Sequence, residues 1–98
     1  MAIEIVWTKR ASNKFNKICD YLFAEFGSNV TKAFMRKTFD FLDALEFFPE
    51  IGALQNKQKE IRGFVIVKHI TVFYRIKNDE IILLDFFDTR QDANKKAF

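Results

Sequence analysis

Two links of only two residues, Lys68-His69 and Asn78-Asp79, separate three apolar, β-branched runs at 60–67, 70–77 and 80–88. Links this short join consecutive strands as antiparallel hairpins, so the second half of the chain predicts a three-stranded meander. Side chains alternate along a strand. The middle run therefore sends Ile70, Val72, Tyr74 and Ile76 to one face and Thr71, Phe73 and Arg75 to the other. The last run is apolar on both faces, with Ile82, Leu84 and Phe86 against Ile81, Leu83 and Phe87.

The first half has a different period. After a short alternating strand at 2–7, Thr8 can cap a helix whose stripe is Ala11, Phe15, Ile18, Leu22 and Phe26. Gly27 stops it, and Ser28 can cap a second helix with Phe34, Thr38, Phe41, Leu45 and Phe48 along one face. Pro49 disfavours helical geometry at Phe48 and ends that run. So short a connection makes the helices an antiparallel hairpin. The polar stretch ALQNKQKE at 53–60 reads as a surface loop. The expected fold class is α+β, in the order β-α-α-β-β-β, with a helix hairpin packed on an antiparallel four-stranded sheet.

At 98 residues, 49% hydrophobic and 30% charged, the chain predicts one globular domain. Thirteen phenylalanines are a heavy load for one small core. One hairpin covers only one face of a sheet, so the opposite face should be partly apolar and partly cationic, as suits a binding surface. The longest apolar runs, at 64–67 and 81–84, are too short to span a membrane. The N-terminus lacks the charged-then-apolar order of a signal peptide, and Cys19 is the only cysteine, which together predict a cytoplasmic protein. One Cys and one His cannot supply a zinc site, and no cofactor is expected. The net charge of +3 permits contact with nucleic acid or an acidic protein without requiring it.

Neither a Ser-His-Asp arrangement nor a glycine-rich phosphate loop is present in pattern. What remains is a cationic set around the sheet: Arg62, Lys68, His69, Arg75 and Arg90, with Tyr74 nearby. Metal-free RNA cleavage needs a base for the 2′-hydroxyl, an acid for the leaving oxygen and cations for the phosphorane charge, and these residue types can fill those roles. Each also has a plain structural use. His69 sits in a turn, Arg75 can pair with Asp85 or Asp88 on the next strand, and Arg90 can be held by Asp88 and Asp92. Tyr74 and Arg75 are adjacent in a strand and so point to opposite faces, with Tyr74 in the core.

The order and spacing of several short motifs resemble the RelE/ParE toxin superfamily. They are Trp7, Thr8 and Ala11; DYL at 20–22; P-x-I-G at 49–52; IR-x-F at 61–64; KH-x₃-FYRI at 68–76; and D-x-RQD at 88–92. The helix hairpin, the P-x-I-G turn and H-x₃-FYR are more similar to the ParE side than to the RelE side.

The resemblance implies the toxin of a bacterial type II toxin–antitoxin module, neutralised by a cognate antitoxin that covers apolar surface. Phe73 and Phe87 are the candidate anchors for that contact. The ParE-like reading implies inhibition of DNA gyrase. The RelE-like alternative implies cleavage of mRNA on the translating ribosome, with Arg62 and Arg75 as phosphate ligands, His69 as acid or base and Arg90 as a further phosphate ligand. Many RelE-like chains end in a basic tail with a catalytic Tyr, whereas this one has no Tyr after Tyr74. A binding-only family member is the third reading. Lys95 and Lys96 would either add electrostatic attraction to a target or form a solvated tail, Lys68 is a further binding candidate, and a homodimer or toxin–antitoxin hetero-oligomer is open to such a chain.

Overall fold

A computed structural model describes residues 3–90. The elements run β1 (Glu4–Trp7), α1 (Lys9–Phe26), α2 (Ser28–Leu45), β2 (Ala53–Asn56), β3 (Ile61–Val67), β4 (Ile70–Lys77) and β5 (Glu80–Asp88). The expected α+β order holds. The sheet, however, has five strands in the order β1-β5-β4-β3-β2, where four were expected. It is also mixed, because β1 lies parallel to β5, with Trp7 beside Leu83.

The extra strand is β2, inside the stretch read as a loop. Its polar side chains carry no apolar alternation, and it forms because β3 offers a free backbone edge: Ala53 pairs with Gly63 and Leu54 with Arg62, before a bulge shifts Asn56 onto Ile61.

Thr8 caps α1 as expected. Its hydroxyl accepts the Ala11 N–H at 3.1 Å and donates to the Leu83 carbonyl at 2.7 Å, tying the helix start to the end of the β1–β5 pairing. Gly27 alone joins the helices, at φ 87°, a value glycine reaches without steric cost. Gly27, not Ser28, is the N-cap of α2, and Ser28 is the first residue of the helix. The α2 helix ends at Leu45, one turn before Phe48.

The hairpin covers one sheet face, α1 over β5 and α2 over β3. Between them lie Ala11, Phe15, Ile18, Leu22, Phe34, Phe41, Leu45, Val72, Tyr74, Leu83 and Phe86. Phe41 stacks on Phe64 with centroids 4.4 Å apart, and Trp7 stacks on Phe86 at 5.7 Å. Each large side chain buried this way contributes about 1.5–3 kcal/mol.

Two residues assigned to the inward stripes are outside the core: Phe26 is 51% exposed and Phe48 66%. The faces of β5 also differ from simple alternation. Tyr74 opposes Leu83 but Phe73 opposes Asp85, so Leu84 is an extra residue, and the bulge turns Phe86 to the helix side with Ile81 and Leu83.

Candidate functional site

Arg62 and Tyr74 are cross-strand partners on β3 and β4. Both reach the 49–52 turn. The Tyr74 hydroxyl donates to the Pro49 carbonyl at 2.8 Å and accepts the Gly52 N–H at 2.9 Å. The Arg62 Nη1 donates to the carbonyls of Gly52 at 2.9 Å and Glu50 at 3.3 Å. Burial pushes the Tyr74 phenol above its ordinary pKa, outweighing the Gly52 N–H and Arg62, which favour the charged form. Arg62 therefore serves as a clamp on backbone, a role its spacing in the sequence did not disclose.

Arg75 follows the buried Tyr74 and points to the opposite, outer face, as strand alternation requires. Neither carboxylate proposed for it is its partner. Asp85 is taken by Arg10 at 2.9 Å and lies 3.9 Å from Lys14, both on α1, and Asp88 by Arg90. The Arg75 Nε is buried with no hydrogen-bond partner among the described residues. The same outer face carries Phe73 and Phe87, half-buried and edge to face at 6.5 Å. Both candidate anchors thus lie away from the helices, with Val65 exposed nearby on β3.

His69 occupies the β3–β4 turn at φ 76°. Its Nδ1 lies 3.1 Å from the Thr89 hydroxyl, and its carbonyl accepts the Thr89 N–H at 2.8 Å. Arg90 closes a two-point contact on the fully buried Asp88, with Nε 3.2 Å from Oδ1 and Nη2 3.4 Å from Oδ2. Its guanidinium also lies 5.4 Å from the Tyr21 ring and 5.6 Å from the Phe26 ring. Lys68, Lys37 and Arg90 rim an apolar groove of about 330 Å³ between the helices and this turn.

The candidate cations therefore separate into three places. Arg62 grips a turn beside the far end of β4, Arg75 faces outward, and His69 and Arg90 sit at the other end of the hairpin. Arg75 lies six residue steps along the chain from His69, roughly 20 Å at about 3.3 Å per step. No single phosphate can touch all four. Lys95 and Lys96, the other basic candidates, lie outside the described residues. Among the described residues no group of three His, Cys, Asp or Glu side chains could hold a metal, and no helix is long and apolar enough to cross a membrane. Cys19 packs against the core, where burial first and Asp20 second push its thiol pKa up, so it is a poor nucleophile.

Sequence reasoning missed the segment around the clamped turn. Phe47 is 76% exposed, Phe48 66%, Ile51 43% and Leu54 46%. The signal was present in FFPEI, where Pro49 ends the helix before those rings can turn inward.

The family model described as "ParE toxin of type II toxin-antitoxin system, parDE" matches residues 5–93. The chain belongs to the ParE toxin family. Solved structures agree on the fold. The chromosomal ParDE system of P. aeruginosa aligns at TM-score 0.73 and 15% identity, over 89% of this chain and 96% of that one. A YoeB/ParE toxin from Agrobacterium tumefaciens aligns at 0.62 and 12%, over 88% and 98%. A copper-bound mutant toxin from Helicobacter pylori aligns at 0.58 and 22%, over 91% and 97%. No curated protein matches significantly. The ParE family thus supplies the toxin class, while these structures supply the architecture.

Proposed function

We propose that this ParE-family toxin arrests growth by binding DNA gyrase, and that a cognate antitoxin neutralises it by covering the outer sheet face. The observation that carries the first part is the dispersal of Arg62, His69, Arg75 and Arg90, three of which are already engaged in holding the fold. General acid–base cleavage requires its groups within hydrogen-bond reach of one substrate, and a toxin acting by binding does not. The antitoxin reading rests on Phe73 and Phe87, a half-buried aromatic pair on a face the helices leave open. Purified chain added to gyrase and relaxed plasmid should block supercoiling; full supercoiling at saturating protein would refute the target.

One observation favours the alternative, a RelE-like endonuclease. Arg75 lies on the face of Phe73 and Phe87 with its Nε unpaired, so a base could stack there while its phosphate meets the guanidinium. Loss of ribosome-dependent cleavage on Arg75→Ala, with the fold retained, would support that reading. A chain that neither blocks supercoiling nor cleaves mRNA, and that binds its antitoxin, would be the binding-only family member.

A further inference from the structure

The groove between the helix hairpin and the Lys68-His69 turn is apolar inside and cationic at its rim. Leu22, Phe34 and Ile70, all buried, form its floor, while Phe26 and Val30 are walls left exposed to solvent. Lys37, Lys68 and Arg90 stand at the edge, and no carboxylate among the described residues lines the space. Among those residues neither lysine is held in an ion pair. Arg90 differs from the lysines because it is locked in place. Asp88 holds its Nε and Nη2, and the guanidinium lies 5.6 Å from the Phe26 ring of the groove wall. A guanidinium has more donors than one carboxylate accepts, and Nη1 lies outside that contact. The groove therefore joins a preformed apolar slot to a preorganised cation, and little ordering is left to be done on binding.

We propose that this groove binds a single-chain aliphatic carboxylate, a free fatty acid of medium length. The alkyl chain lies along Leu22, Phe34 and Ile70 and covers Phe26 and Val30. Its carboxylate takes the Nη1 of Arg90 and the ammonium groups of Lys37 and Lys68. Charge selects the head group, because three cations with no acid among the lining residues attract an anion and repel an amine. Size selects the tail. A volume of about 330 Å³ is near the lower end of the roughly 300–1,000 Å³ typical of ligand pockets, so one short chain fits and a two-tailed lipid does not. The groove is on the helix side of the sheet, apart from the outer face assigned to the antitoxin, and the inference stands whether or not gyrase is the target.

Isothermal titration of sodium decanoate into the purified full chain, kept below the concentration at which decanoate forms micelles, tests this. One saturable site per chain is expected. Decyltrimethylammonium, with the same tail and the opposite charge, should bind about tenfold more weakly or worse. Ala33 lines the groove from an exposed position on α2, so Ala33→Trp should fill the slot and abolish binding with circular dichroism unchanged. Lys68→Glu should weaken binding about tenfold or more. Lys68 is exposed in a turn, so its replacement reports on the site even if Ala33→Trp disturbs the helix. Absence of saturable binding, equal affinity for the two charge types, or indifference to both substitutions would overturn the proposal. Binding to anionic phospholipid vesicles without binding to decanoate would overturn it as well, and would put a membrane surface in place of a free acid.

Discussion

The Tyr74 hydroxyl accepts the Gly52 N–H at 2.9 Å while giving its own proton to the Pro49 carbonyl at 2.8 Å. One buried phenol thereby satisfies two backbone groups of a turn more than twenty residues away in sequence. Tyr74→Phe should cost about 1–3 kcal/mol, because it strands both groups without changing the ring packing. The pH dependence has a definite sign. The folded pKa of Tyr74 is raised, so its stabilisation is complete below the ordinary tyrosine value of about 10 and is lost as pH climbs from there through the folded value. Urea titrations should show the gap between wild type and Tyr74→Phe narrowing above that pH. A gap that widens would reverse the assignment.

The close approach of Gly52 to the Tyr74 ring gives a second expectation. In Gly52→Ala the new methyl would lie 2.8 Å from Cε1 and 2.9 Å from the hydroxyl of Tyr74, and 3.0 Å from the Gly63 carbonyl. Backbone and a bonded ring cannot both retreat, so the change should destabilise by about 1–3 kcal/mol. Thermal unfolding would register this as a lower Tm. An unchanged Tm would mean the turn is looser than these distances imply.

Arg90 is held by a carboxylate with no solvent exposure. Arg90→Ala should therefore lower stability by about 1–3 kcal/mol through the desolvated Asp88. Arg90→Lys should recover only part of this, since an ammonium lacks the planar two-point fork. Chemical denaturation of the two variants checks the order. Equal stability of all three proteins would free Arg90 for a role in binding.

Phe73 and Phe87 lie on the outer face and make no part of the helix-side core. Phe73→Asp or Phe87→Asp should weaken the antitoxin complex at least tenfold, as expected when a charge replaces an interface anchor. Far-ultraviolet circular dichroism should change little. Isothermal titration against the antitoxin would measure the loss, and global unfolding of both variants would place these rings in the fold's own support.

The hairpins were legible because a two-residue link leaves strands one way to turn, and the helix stripes because Ala11, Phe15, Ile18 and Leu22 keep one face inward. Other features depend on partners that no local pattern names. The β2 strand is recruited by the free edge of β3, and the parallel place of β1 depends on β5, more than seventy residues on. The extra residue at Leu84 moved Phe86 to the opposite face. Phe26 and Phe48 continue their stripes beyond the sheet that the hairpin covers, so periodicity alone placed them wrongly. The candidate cations were visible as residue types. Their occupation was not, because Arg62 bonds a turn ten residues away and Asp85 is claimed by α1.

A ParE-family toxin that acts by binding, as proposed, leaves mRNA intact on the translating ribosome. The most direct measurement is primer extension on mRNA from a reconstituted translation reaction with the purified chain in excess. Full-length products, identical with and without the protein, are expected. New 5′ ends that appear only on translating ribosomes would contradict that reading and return Arg75 and its outer face to a catalytic role.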